Sequence, residues 1–135
     1  FPDVERGSDV HYIGQGNNAF IFPGLGFGAI LAECREVTND MVLEAAYALA
    51  DYTAAAHLRA GRVYPPVREL REVSIRVGTR VIEQALKEGV AGRTDLAGRD
   101  LDTYLRSRFW KPRYLPIVRG DHTAMIDHPG YPKEE

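Results

Sequence analysis

Between Gly14 and Glu33 the chain reads GQGNNAFIFPGLGFGAILAE, and how this stretch is divided decides the fold. Asn17 and Asn18 stand where a helix can begin, since Asn is a favoured N-terminal cap. Ala19 to Phe22 fits strand or helix by periodicity alone. Phe22 is pushed out of the α region by the proline after it, and Pro23 is tolerated as the first residue of a helix. Gly24-Leu25-Gly26-Phe27-Gly28-Ala29 then fits G-x-G-x-x-A, a pattern that cradles a dinucleotide pyrophosphate. That role needs a strand before the first glycine, a helix after it, and an acid about 20 residues on. Ala19 to Phe22 can supply the strand and Glu44 the acid. Against this, Pro23 directly precedes the first glycine. No second parallel strand is visible between Gly28 and Glu44, and Glu44 falls within a helical pattern. The alternative makes Gly24 to Glu33 a helix whose glycines let it lie close to a neighbour, and this is the expected reading.

Working outward, Phe1 to Asp9 reads as loop and Val10 to Ile13 as a short strand of β-branched and aromatic residues. Thr38, Asn39 and Asp40 open a helix with Val42, Ala45, Ala46, Leu49 and Ala50 at helical spacing, running to about Tyr52. Ala54 to Arg59 reads as a short turn stopped by Gly61, and GRVYPP (Gly61 to Pro66) as a linker. Val67 to Glu88 is the longest expected helix, with Leu70, Val73, Val77, Val81 and Ala85 on one face and Gly89 as its stop. Val73, Ile75 and Val77 also alternate with polar residues as a strand would, but the helical period continues past them. Glu72 and Arg76 make an i, i+4 pair. Arg93 to Arg99 reads as loop. Asp100 to Arg108 reads as a short helix with acids in its first turn, ended by Phe109-Trp110. The remainder is extended and polar. The expected fold is mostly α, with four to five helices and one short strand.

The chain has 135 residues, enough for one domain, with 44% hydrophobic and 27% charged residues, a globular composition. Its net charge of −2 argues against a nucleic-acid partner or a basic membrane-seeking face. No apolar run approaches the roughly 18 residues of a membrane span. Cys34 is the single cysteine, so no intramolecular disulfide forms. A reduced cytoplasmic setting is expected, an organelle matrix being the alternative. The chain begins at Phe1 without Met, which fits a processed protein or part of a longer one.

The chemistry is sparse. Adjacent Asn17 and Asn18, after a glycine and at a helix start, offer amide and backbone N–H donors to a small anion; capping a turn is the plainer reading. His11, His57, His122 and His128 lack metal-ligand spacing and read as surface or satisfied core residues. Cys34 reads as a small buried apolar residue. Ser74 lacks a nucleophile elbow. Tyr64, Tyr104 and Trp110 are expected to pack. Arg106, Arg108, Arg113 and Arg119 sit in mixed charge. Neither a nucleophile–base pair nor a metal cluster is visible.

GQGNNAFIFPGLGFGAILA, then VTNDMVLEAAYALA, then GRVYPPVRELREVSIRVGTRVIE, resemble the carboxy-terminal part of malic enzymes, NAD(P)-dependent oxidoreductases that decarboxylate malate to pyruvate. FWKPRY (Phe109 to Tyr114) resembles the W-x-x-x-Y near the family's end, so the likeness runs from Val10 to Pro116. It implies that Asn17 and Asn18 meet the substrate, with Asn17 close to the nicotinamide. It implies NAD or NADP, and Mg²⁺ or Mn²⁺, as cofactors, malate and pyruvate as ligands, the rest of the enzyme as partner, and a homo-oligomer. Residues 1–116 would be the last part of a Rossmann-like α/β NAD(P)-binding domain with its following helices, and 117–135 a tail. The family's catalytic Tyr and Lys, metal ligands and dinucleotide loop lie upstream, so no catalytic or metal residue is expected here and the chain alone should be inactive. Two other readings remain: a stand-alone helical binding or assembly module, and a small dinucleotide binder using Gly24–Ala29.

Overall fold

The computed structural model describes residues 2–112 and 114. Arg113 and the expected tail over 117–135, with Arg119, His122 and His128, therefore lie outside the described residues. An antiparallel hairpin comes first, in which β1 (Val4–Arg6) pairs with β2 (Asp9–His11), Arg6 opposite Asp9. Gly7 and Ser8 make the turn, with Gly7 at φ +61, the left-handed backbone that such a two-residue turn needs at its first position. This corrects two expectations. The strand is Asp9–His11 rather than Val10–Ile13, and its partner lies where loop was expected. All six strand residues are exposed, so neither strand carries the buried alternation that makes strands legible.

Four α-helices follow among the described residues. A 3-10 turn over Asn18–Phe20 leads into α1 (Phe22–Leu31), with Pro23 in its first turn. The ambiguous Ala19–Phe22 thus becomes turn and helix start, not strand. Thr38 Oγ1 accepts the Met41 N–H at 3.1 Å and opens α2 (Asn39–Ala56). This helix runs beyond the expected Tyr52, because Ala54, Ala55 and Ala56 are strong helix formers. A 3-10 turn at Leu58–Ala60 then ends on Gly61, φ +78. A further 3-10 turn at Val67–Glu69 precedes α3 (Leu70–Glu88), which stops at Gly89 as expected. Thr94–Leu96 forms another such turn inside the expected loop. Asp100 accepts the Thr103 N–H at 3.1 Å and opens α4 (Leu101–Arg108).

α3 is the central element and packs against α1, α2 and α4. This explains the strand-like run within it. Val73, Ile75 and Val77 are all buried because neighbours cover the helix on several sides, so its apolar residues need not keep to one narrow stripe. The core is completed by Phe20, Met41, Leu96 and Leu105, each fully buried.

The α1–α3 crossing settles the glycine pattern. A Cβ on Gly24 would lie 2.6 Å from the Ser74 carbonyl oxygen, and one on Gly28 would lie 2.7 Å from the Gly78 carbonyl oxygen. Gly78 in turn faces the Gly24 carbonyl oxygen and Leu105. These three residues let the helix backbones approach, which is the packing role expected of the α1 glycines and met by Gly24 and Gly28 but not Gly26; Gly78 on α3 was not foreseen in it. Gly26 has nothing within 4 Å.

Candidate functional site

Asn17 has extended backbone, φ −148 and ψ 138, and its Oδ1 accepts the Ala19 N–H at 2.8 Å. Its carbonyl also accepts the Phe20 N–H at 3.2 Å. Asn17 is therefore a cap, as the residue pattern alone suggests. Capping occupies Oδ1 and leaves Nδ2 as the donor group of the side chain. Asn18 opens the turn, and its side chain makes no hydrogen bond to the described residues. Both side chains are exposed.

The pair lines an open cleft of about 640 Å³ with Gly16 and Ile21. The opposite wall is one face of α2, Ala46, Leu49, Ala50 and Thr53 at i, i+3, i+4 and i+7. The two alanines leave the space a larger residue would fill. Thr53 donates its hydroxyl to the Leu49 carbonyl at 2.8 Å, so it offers the cleft little polarity. Val63 and Tyr64 close the third side. Sequence reasoning placed Tyr64 only as a packing residue. It does pack, stacking on Phe20 with centroids 6.2 Å apart, and it also borders the Asn pair.

Among the described residues, no side chain of Asp, Glu, Lys, Arg or His lines this cleft. Its attraction for an anion rests on amide donors and on the N-terminal end of α1 beside Ile21, where the helix carries partial positive charge. Such a wall has the donors to bind and orient a carboxylate or a hydroxyl. Among the described residues, its lining offers no carboxylate, amine or imidazole to move a proton.

The residues present do not fit the cofactors by themselves. Gly24–Ala29 lies within α1, where the Leu25 N–H donates to the Ile21 carbonyl at 2.9 Å and the following amides join the helix ladder. Those amides cannot turn toward a pyrophosphate. Among the described residues, no three His, Cys, Asp or Glu side chains come together as metal ligands. His57 is satisfied instead, its Nε2 lying 2.7 Å from Glu69 Oε2. Cys34 is half-buried, and burial pushes its thiol pKa up, away from the reactive thiolate.

The family model described as malic enzyme, NAD binding domain, matches residues 1–86. The chain belongs to the malic enzyme family. It is 35% identical over 122 residues to the NAD-dependent malic enzyme, mitochondrial, of Ascaris suum, covering 90% of this chain and 19% of that protein. It is 37% identical over 116 residues to the NADP-dependent malic enzyme of Dictyostelium discoideum, covering 84% and 21%. The NAD-dependent malic enzyme of Aliivibrio fischeri is 34% identical over 119 residues, covering 88% and 21%. The chain thus spans about a fifth of the length of these malic enzymes. No helix among the described residues is long and apolar enough to cross a membrane.

Proposed function

We propose that this chain is the carboxy-terminal part of a malic enzyme that oxidatively decarboxylates (S)-malate to pyruvate and CO₂ with NAD(P)⁺. In the complete enzyme, residues 1–116 would finish a Rossmann-like α/β cofactor domain and its following helices, with 117–135 as a tail. The observation that carries the reading is the uncharged cleft with both Asn amides at its edge, in a chain of this family. Asn17 uses its Nδ2 donors to hold a malate carboxylate or hydroxyl close to the nicotinamide, and Asn18 supports the same contact. This is positioning work, which brings the reacting carbon to the hydride acceptor. When bound, Mg²⁺ or Mn²⁺ supplies Lewis-acid chemistry, held by parts of the enzyme outside this segment. The setting is cytoplasmic in this proposal; the mitochondrial and chloroplastic names of some relatives support an organelle matrix as the second choice.

Asn18→Asp in a complete malic enzyme bearing this segment tests the reading. The change keeps the shape and places a negative charge where the substrate carboxylate should lie. An unfavourable contact of about 1.4 kcal/mol raises KM for malate about tenfold, while KM for NAD(P)⁺ and Tm stay near wild type. An unchanged KM for malate contradicts the proposal.

A further inference from the structure

Two glycines precede the Asn pair, and both make room for the same residue. A Cβ added to Gly14 would lie 3.1 Å from the Tyr64 backbone nitrogen, and one added to Gly16 would lie 3.1 Å from Tyr64 Cε2. Tyr64 therefore lies directly against the backbone that delivers Asn17. Its ring also stacks on Phe20, with an interplanar angle of 18°. Phe20 is fully buried and ends the turn that Asn17 caps. Tyr64 thus braces the Asn-bearing segment on both sides of the pair.

Tyr64 is carried by the strap over residues 57–69 that joins α2 to α3, and the strap is tied at several points. At its base, Glu69 Oε2 accepts the Tyr52 hydroxyl proton at 3.0 Å and lies 2.7 Å from His57 Nε2. One carboxylate oxygen can take both donors, provided that His57 nitrogen carries the proton. Burial, and then the Glu69 carboxylate, push the Tyr52 pKa up to about 12, so its hydroxyl remains a donor at ordinary pH. Midway, Arg62 donates to the Ile13 carbonyl at 3.5 Å, pairs with Asp3 at 3.5 Å and lies over the Tyr12 ring. Pro65, next to Tyr64, is fully buried.

We propose that Tyr64 is the positioning residue of the Asn17–Asn18 cleft, and that the Tyr52–Glu69–His57 clamp holds it in place. The proposal rests on reading the Asn pair as substrate contacts. A three-residue 3-10 turn has poor hydrogen-bond geometry, and an Asn amide shifted on it gives up its hydrogen bond to the malate carboxylate, which weakens binding of the substrate. The ring of Tyr64 supplies the rigidity that the turn lacks.

The test uses a complete malic enzyme bearing this segment. Tyr64→Leu should raise KM for malate about tenfold, with kcat changed less than about threefold. Tyr64→Phe keeps the ring on Gly16 and Phe20 and should return KM to within about twofold of wild type. Glu69→Ala, remote from the cleft, should raise the same KM by about threefold. If Tyr64→Leu fails to fold, Gly16→Ala, which presses on the ring edge and leaves the core intact, carries the same expectation. The pair Asn17→Ala and Tyr64→Leu should together cost no more than Asn17→Ala alone, since one acts through the other. A lower Tm with unchanged KM in Tyr64→Leu, or fully multiplicative losses in the double variant, overturns the positioning role and leaves the Asn reading standing. Malate kinetics unmoved by Asn17→Ala overturn that reading and this one with it.

Discussion

At the scale of single residues, Asn17 has two separable tasks. Its Oδ1 caps a turn, and its Nδ2 is the donor group that remains on a residue lining the cleft. Ser is also a good cap but has no amide donors. Asn17→Ser in the 135-residue chain should therefore leave stability within a few tenths of a kcal/mol, whereas Asn17→Ala should cost about 1 kcal/mol, both measured as shifts in urea midpoint. Equal losses in the two variants would mean that capping is not what the oxygen does. The pair's place at a helix start was legible in the residues themselves, since Asn after Gly and before an apolar run is a capping pattern. Its substrate role came only from the resemblance, because two amides alone suit many anions. Tyr64 was not legible as a neighbour of the pair. Its position depends on where the strap between two helices returns, and on glycines whose small size matters only once that return is known.

At the scale of elements, the helices could be read because each carries local signals: the polar start at Thr38, the acids opening α4, Pro23 in a first turn, Gly89 as a stop. The hairpin could not, since its strands bury nothing. Most informative is the α1–α3 crossing, where one sequence pattern had two readings. Glycines facing another backbone should resist substitution, and a glycine facing open space should welcome it. Gly24→Ala and Gly28→Ala should each destabilise the 135-residue chain by about 1–3 kcal/mol through overpacking. Gly26→Ala should stabilise it by about 0.5–1 kcal/mol, the helix-propensity gain of Ala over Gly. Thermal unfolding of the three variants checks this, and a loss at Gly26 equal to that at Gly24 contradicts the crossing. α4 is fastened differently. Arg106 donates to both Glu72 carboxylate oxygens, at 2.8 and 2.5 Å, and to Asp102. The Arg106 hydrogen bonds hold Glu72 below the usual carboxylate range. Its contribution is therefore present above the ordinary Glu pKa and lost as pH falls through the lowered one. The pair is partly exposed, so Glu72→Gln should cost no more than about 1 kcal/mol at pH 7. The gap between variant and wild type, followed by denaturant unfolding from pH 7 to pH 2, should close toward the acid end.

At the scale of the whole molecule, α1 is apolar throughout its length, yet Phe22 is 61% and Ile30 75% exposed. A helix hydrophobic on all sides belongs in the interior of a larger protein. α2 likewise exposes Val42, Leu43 and Tyr47. In the proposed malic enzyme these faces would be covered by the remainder of the cofactor domain. Among the described residues, no carboxylate, amine or imidazole lines the cleft to move a proton. The 135-residue chain supplied with malate, NAD⁺ or NADP⁺ and Mn²⁺ should therefore form no NADH or NADPH above the rate without protein. Sustained malate-dependent reduction by the chain alone would contradict the proposal that the acid, base and metal ligands come from elsewhere. The central claim, that Asn17 presents its amide to malate, is tested most directly by Asn17→Ser in a complete malic enzyme bearing this segment. A hydrogen bond to a charged group contributes about 1.5–3 kcal/mol, so kcat/KM for malate should fall about 10- to 100-fold while Tm stays within about 2 °C. Unchanged kcat/KM with the cap preserved would contradict the account.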